Sequence, residues 1–233
     1  MNEMDAHILP KHIGFIMDGN RRWAHARGLP AIEGHREGYK AVDRVSMLCF
    51  DRGIKQVTIY AFSTENWKRS KEEVRDLFEF IKWVLTMDLK RLNEKGIRLM
   101  VIGQIKTLSM LLQRKIRQAV ELTKKNKHGV ITIALNYGGR EEIIHAVKEM
   151  IAKKLRPDQI TEEVMSSNLY TKGVSDPDLI IRTGGEQRLS NFLTWQSTYS
   201  ELYFCDTLWP DFSEKDLAAA LADYSERKRN FGK

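Results

Sequence analysis

Six short apolar runs divide the chain, at residues 13–17, 56–62, 97–102, 130–135, 179–181 and 201–204. Each is too short for a buried helix and rich in Ile, Val, Leu or Phe, so each reads as a strand. Between them lie segments with apolar positions three and four apart. These predict helices over 39–52, 71–93, 110–125 and 141–154, a shorter one over 161–169, and a last one entered at Ser213. In the second helix Val74, Leu77, Phe78, Ile81, Val84 and Leu85 make one apolar face. Gly53 and Gly96 close the first two helices, and Ser213 followed three residues on by Asp216 resembles a capping box. Alternating strands and helices predict an α/β fold: a mostly parallel central sheet of about six strands flanked by helices on both faces. No Pro/Gly/Ser-rich linker or repeat interrupts residues 1–233, which therefore read as a single domain.

Four of the predicted strands end in a polar burst. The first runs from Asp18 through Gly19, Asn20, Arg21 and Arg22 to Trp23. The second holds Ser63, Thr64, Glu65, Asn66, Trp67, Lys68 and Arg69. The third is Asn136 to Arg140, and the fourth runs from Arg182 to Arg188. In parallel α/β sheets ligands bind outside the carboxyl ends of the strands. Four bursts at equivalent ends therefore predict one site along one edge, rich in arginine, amide, hydroxyl and acid.

Composition narrows the ligand. The net charge is +7 with 42% hydrophobic residues, which invites nucleic acid, an anionic surface or a phosphorylated small molecule. There is no zinc-ligand spacing and no aromatic RNA-binding signature. The arginines recur beside strand ends rather than in one tract, so phosphate is the better reading and nucleic acid is not expected. Forked guanidinium donors match phosphate oxygens. Asp18, and Glu201 with it, would share Mg²⁺ with the ligand. No phosphate loop of the Walker type and no G-x-G-x-x-G is present, so nucleotides lack their usual cradle. Two cysteines, Cys49 and Cys205, make no disulfide framework and fit a reducing compartment. No apolar h-region opens the chain and no run is long enough to span a bilayer, which predicts a cytoplasmic protein. Apolar helix residues flank the polar edge: Val45, Met47, Leu48 and Phe50 on one side, and Leu77, Phe78, Ile81, Trp83, Val84 and Leu85 on the other. Periodicity alone leaves open whether they only pack on the sheet or also line a tunnel.

The segments 12–23, 34–36, 60–69, 136–140, 181–196, 201–204 and 208–212 together resemble the cis-prenyltransferases, in order and over nearly the whole chain. The resemblance implies a homodimeric α/β fold with an apolar tunnel. It also implies a reaction: repeated addition of isopentenyl diphosphate to an allylic diphosphate such as farnesyl diphosphate. The product is a long cis-polyprenyl diphosphate such as undecaprenyl diphosphate, a glycan lipid-carrier precursor. By resemblance, Asp18 is the essential acid that holds Mg²⁺, and Gly19, Asn20, Arg21 and Arg22 cradle the allylic diphosphate with Trp23 and His35 beside them. Ser63, Thr64 and Glu65 close over substrate. Asn66 matches the proposed proton acceptor, Trp67 its neighbouring aromatic and Arg69 a substrate-binding arginine. Arg182, Arg188, Leu189 and Ser190 form the isopentenyl diphosphate site, and Glu201 is a second metal ligand that reaches across the dimer. A neutral amide is a poor base, so Asn66 is expected to position substrate while Asp18 or a diphosphate oxygen takes the proton.

Three positions bear on specificity. The family commonly has an arginine where this chain has Ala31, so either one diphosphate contact is missing or Arg27 or Arg36 substitutes for it. Gln104 replaces a usual Asp, in a segment expected to lie away from the chemistry. Ala61, if its strand lines the tunnel, leaves room for a medium or long chain. Two competing readings remain, a Mg²⁺-dependent phosphatase built on Asp18 and a non-catalytic accessory subunit. Contact with the inner face of a membrane is expected to be transient and made by the product's tail.

Overall fold

A computed structural model of the chain describes residues 9–87 and 89–227. Residues 1–8 and 228–233, which the sequence reading counts within the single domain, lie outside these residues. In chain order the elements are β1 (His12–Ile16), α1 (Asn20–His25), α2 (Ala31–Asp51), β2 (Gln56–Ser63), α3 (Lys71–Met87) and α4 (Leu89–Glu94). They continue with β3 (Ile97–Ile102), α5 (Met110–Thr123), β4 (Gly129–Tyr137), α6 (Gly139–Ala152), α7 (Glu162–Asn168), β5 (Leu179–Arg182), β6 (Glu201–Phe204) and α8 (Glu214–Glu226).

All six strands pair in parallel, in the order β3-β4-β2-β1-β5-β6. The chain places β2 on one side of β1 and returns later to place β5 on the other. That reversal opens a crevice between the carboxyl ends of β1 and β5. Side chains alternate across the sheet. Ile13 and Phe15 of β1, with Leu179 and Ile181 of β5, enter the larger core under α2, α3, α5 and α8. Ile16 and Ile180 face the opposite side, where Tyr137, Phe192 and Leu193 meet them.

Two predicted boundaries change. A helix was not expected directly after the first polar burst, yet α1 begins at Asn20. The expected helix over 39–52 starts at Ala31 and passes through Gly34 and Gly38. These glycines let α1 lie against α2: a Cβ on Gly34 would sit 2.0 Å from the Asn20 carbonyl oxygen, and one on Gly38 would sit 2.3 Å from Asn20 Oδ1. Steric fit therefore outweighs the poor helix propensity of glycine. The expected helix over 71–93 is helical on both sides of residue 88, as α3 and α4. The capping box at Ser213 is present, with the Ser213 N–H donating to Asp216 Oδ2 at 2.9 Å.

Strand β2 carries a bulge. Tyr60 pairs with Ala134 but Phe62 pairs with Leu135, so Ala61 is an extra residue. A matching irregularity on β4 leaves Asn136 in a left-handed conformation, φ 51°. Bulges re-aim side chains. Here Phe62 turns toward α3 and packs on Phe78 and Trp67.

Gly34→Ala is expected to lower stability by about 1–3 kcal/mol through overpacking, whereas the same change in an open helix interior gains about 1 kcal/mol. Urea denaturation measures it, and an unchanged midpoint would mean that α1 is free to lift from α2.

Candidate active site

Asp18 follows β1 by one residue and stands at the crevice. Its backbone is fixed from three directions. Its N–H donates to the Ile16 carbonyl (3.0 Å), and its own carbonyl accepts from Thr183 Oγ1 (2.7 Å) and from the Trp209 N–H (3.1 Å). Gly19 then turns with φ 111°, and a Cβ there would meet Leu208 at 2.8 Å. The carboxylate is therefore aimed by backbone contacts made across the sheet.

Two arginines meet it. Arg182, at the end of β5 and only 5% exposed in its side chain, donates from Nη2 to Asp18 Oδ2 at 2.9 Å. Arg22 lies 3.4 Å from Oδ1. The Nη1 of Arg182 donates to Ser190 Oγ (2.7 Å) and to the Arg188 carbonyl (2.5 Å). A buried guanidinium without such partners would be costly, so Asp18 and the 188–190 loop hold it together. That loop is built with strain: Ser190, Asn191 and Leu193 all have positive φ. Beneath it the buried Glu142 accepts from Tyr137 Oη (2.6 Å), Gln196 Nε2 (2.9 Å) and the Thr171 N–H (3.1 Å). Tyr60 Oη donates to the Tyr137 carbonyl at 3.2 Å.

On the other side of Asp18 a cavity of about 500 Å³ opens, within the usual range for small-molecule sites of about 300–1,000 Å³. Its mouth is polar: Asp18, Gly19, Asn20, Arg21, Arg22, His25, His35, Asn66 and Arg69. Its interior is apolar, with Ile59 and Ala61 of β2, Leu77, Ile81, Val84 and Leu85 of α3, Val101, Ile116, Ile133 and Leu135. Of the apolar helix residues singled out in the sequence, those four of α3 line the cavity. Val45, Met47, Leu48 and Phe50 pack into the core, and Trp83 lies on the surface. Glu73 gathers the cations at the mouth, 3.1 Å from Arg69 and 3.7 Å from Arg21. His35 is half-buried beside them. Burial, with Arg69 nearby, pulls its imidazole down from 6.5 to about 4, so it is neutral at neutral pH. Its Nε2 and the Oδ1 of Asn20 are buried at the mouth with no partner among the described residues.

The remaining expected residues divide. Asn66 lines the cavity, and its Oδ1 accepts from the Ser63 N–H at 3.0 Å, so its amide donors are what it can offer a ligand. Ser63 serves as the N-cap of the turn over Thr64–Lys68. Thr64 abuts Gly138, and Glu65 accepts from Asn191 Nδ2 at 2.9 Å. Trp67 is turned outward from the cavity: it donates to Asn136 Oδ1 (2.7 Å) and stacks on Phe78. Asn136 in turn donates to the Gln104 carbonyl at 3.2 Å, so the Gln104 segment braces the active turn rather than standing apart from it. Leu189 packs into the smaller core, and Arg188 pairs with Glu186.

Two expectations are corrected. Trp23 does not face the cavity: its indole donates to Asp211 Oδ1 (2.7 Å) and Arg27 lies over its ring at 4.1 Å. Arg27 and Arg36 do not replace the arginine missing at Ala31. Arg27 reaches Asp211 and Arg36 pairs with Glu33, while the arginines at the mouth are Arg21, Arg22 and Arg69. Glu201, expected to act across the dimer, stands apart from Asp18 within one chain. Parallel register sets Glu201 level with Leu179 and Ile13, at the amino end of the sheet, and it pairs with Arg227 at 2.7 Å. Thr183, Tyr60 and Asn191 are supports that sequence reading did not single out, while Asn136 was placed at the head of the third polar burst without this role. Thr183 and Tyr60 gave no signal beyond their position at a strand end.

Among the described residues no group of three or more His, Cys, Asp or Glu is placed to hold a metal. The Asp18 carboxylate, 34% exposed in its side chain, is a single hard oxygen donor at the mouth. That fits a divalent ion completed by ligand phosphate oxygens, the usual arrangement for Mg²⁺. It does not fit a metal site made by this chain alone.

Comparison with known proteins decides the family. Residues 16–232 match the family model described as "Putative undecaprenyl diphosphate synthase". The chain belongs to the isoprenyl transferase family. It is 49% identical to an isoprenyl transferase of Heliobacterium mobile over 99% of this chain and 90% of that protein. It is 44% identical to the farnesyl-diphosphate-specific ditrans,polycis-undecaprenyl-diphosphate synthase of Pasteurella multocida, over 100% of this chain and 98% of that protein. Among solved structures, lavandulyl diphosphate synthase from Lavandula x intermedia in complex with dimethylallyl diphosphate matches with a TM-score of 0.92 and 40% identity, covering 97% of this chain and 99% of that one. A probable undecaprenyl diphosphate synthase from Campylobacter jejuni matches with a TM-score of 0.81 and 35% identity over the full length of both. This isoprenyl transferase is accordingly a transferase by class, and the phosphatase reading falls away.

The depressed His35 has a consequence for stability. An unfolded imidazole takes up its proton near 6.5 and the folded one only near 4. The neutral side chain therefore stabilises the fold above pH 6.5, and that stability is lost as pH falls toward 4. His35→Gln is expected to remove a drop on the order of 3 kcal/mol over that interval. Denaturation midpoints at pH 7 and pH 4.5 for both proteins test this; equal losses in the two would place the titration elsewhere.

Proposed function

We propose that this transferase condenses isopentenyl diphosphate repeatedly onto an allylic diphosphate, with farnesyl diphosphate as primer, to give a long-chain cis-polyprenyl diphosphate of the undecaprenyl type. The observation that carries the reading is the cavity: a cationic mouth beside one carboxylate, continuous with an apolar interior. A diphosphate with a hydrocarbon tail matches both halves. The dimethylallyl and farnesyl diphosphates named for its relatives are of that class.

The allylic diphosphate lies at the mouth, its oxygens taken by Arg21, Arg22 and Arg69, the Asn20 amide and the backbone at Gly19, with its tail among Ile59, Ala61, Leu77, Ile81, Val84 and Leu85. Isopentenyl diphosphate lies across Asp18, toward Arg188, Ser190 and the guanidinium of Arg182. As the allylic carbon–oxygen bond breaks, charge grows on the leaving diphosphate where the arginines stand. The isopentenyl double bond forms the new carbon–carbon bond, and the proton it then sheds passes to a diphosphate oxygen. Asn66 donates its amide to hold the isopentenyl diphosphate, because its own oxygen is already engaged by Ser63. Mg²⁺, held by Asp18 with the diphosphate, would supply further charge neutralisation. The site excludes water from the cationic carbon by its apolar interior.

The active unit is proposed as a homodimer, and a contribution from Glu201 to the metal requires the second subunit. The product is proposed to serve as a glycan lipid-carrier precursor made in the cytoplasm, at the inner face of the membrane. No helix among the described residues is long and apolar enough to cross a bilayer.

The test is incorporation of radiolabelled isopentenyl diphosphate with farnesyl diphosphate, Mg²⁺ and detergent, with products sized after dephosphorylation. A ladder ending in a long cis-polyprenol is expected. In Asp18→Ala turnover should fall by at least about a hundredfold. No incorporation by well-folded protein with any of several primers would reject condensation in favour of an accessory role. Ala61→Leu fills the cavity beside Ile59 and is expected to shorten the product. An unchanged ladder would take the growing chain off that wall.

A further inference from the structure

The net charge of the protein is concentrated in one place. Residues 106–127 hold seven lysines and arginines against one acid, Glu121, a net +6 in a chain whose total is +7. This segment is the outer face of α5 and the turns at its ends. Leu112, Ile116, Ala119 and Thr123 face the core, which leaves Arg114 and Arg117 exposed on the opposite face, with Lys125 exposed in the turn that follows. Among the described residues only Lys124 of the seven has an acid partner, Glu121. Lys115 instead reaches Thr86 Oγ1 on α3 at 2.6 Å.

Large apolar side chains stand among these cations. Met110 is 85% exposed, Leu122 52% and Leu111 45%, and Trp83 on the crest of the adjoining helix α3 is 51% exposed. A solvated basic face has no use for four such side chains. A surface helix with cations around apolar residues is the pattern of binding in the plane of an anionic bilayer. Cations there bind headgroup phosphates while Met, Leu and Trp enter the acyl boundary. Nucleic acid would be served by the cations but gives Met110 and Leu122 nothing to enter.

We propose that the outer face of α5, with the crest of α3, is a docking surface for anionic phospholipid bilayers. The protein then reaches the membrane through its own surface as well as through its product. The placement also deepens the proposed reaction, on which this clause alone rests. Leu85 of α3 and Ile116 of α5 line the apolar part of the cavity, so the helices that would cover a growing hydrocarbon are the ones laid on the bilayer.

Flotation of the full-length enzyme without substrate tests it, using vesicles of phosphatidylcholine alone or mixed with phosphatidylglycerol. Binding is expected only to the anionic vesicles and is expected to fall with salt. The triple variant Arg114→Gln/Arg117→Gln/Lys125→Gln should bind more than about tenfold more weakly, and Met110→Ser/Leu111→Ser/Leu122→Ser should also release the vesicles at moderate salt. Circular dichroism and turnover in detergent report that each variant is folded, and the salt series on the wild type stands without any variant. Equal binding to both vesicle types, no binding at low salt, or an unaltered charge variant would overturn the proposal. So would displacement of the vesicles by duplex DNA at equal phosphate, which would give the face to nucleic acid. An active enzyme that ignores vesicles sinks the docking surface alone; an inactive chain that floats with them sinks the proposed reaction alone.

Discussion

The contact between Asp18 and Arg182 joins the ends of β1 and β5, and the site is arranged around it. Arg182 is nearly buried, so its charge needs partners inside the protein. It finds them in the Asp18 carboxylate, the Arg188 carbonyl and Ser190. One guanidinium thereby fixes the acid at the crevice and the strained loop that faces it. Thr183 and Trp209 add the backbone restraint on Asp18. The acid thus has a structural partner on one side and an open cavity on the other. A ligand entering that cavity meets a carboxylate whose position is already set, which is what electrostatic preorganisation requires.

The division of the cavity into a cationic mouth and an apolar interior follows from secondary-structure geometry. Polar bursts begin where strands end, so the charged groups collect at the carboxyl edge. Inside the sheet Ile59, Ile133 and Leu135 share the face that carries α3 and α5, and the helical spacing of Leu77, Ile81, Val84 and Leu85 turns one stripe of α3 toward them. The bulge at Ala61 then sends Phe62 to brace α3 while a small side chain stays beside the cavity. Amphipathic ligands suit such a site because neither half of the molecule is left in the wrong environment.

Much of this was legible in the chain. Apolar period and length fixed the six strands, their alternation with helices required parallel pairing, and parallel pairing placed Asp18, Asn66 and Arg182 along one edge. Those steps use only local period and the rule that ligands lie at the carboxyl ends of strands. The capping box at Ser213 was equally readable, because both of its partners are three residues apart.

Tertiary structure alone decided what depends on register and on rotation about a strand or helix. Glu201 is an acid in the right kind of motif, but the pairing of β6 with β5 puts it at the far end of the sheet from Asp18. Trp23 and Trp67 sit in the polar bursts yet point outward, held by Asp211 and Asn136, because α1 and the turn over Thr64–Lys68 send successive side chains to different sides. Gly34 and Gly38 looked like a loop until α1 packed against them. Arg27 and Arg36 had the right charge and the wrong direction. Sequence specified which groups would gather at the edge; only packing over long sequence separations specified which of them face the same space.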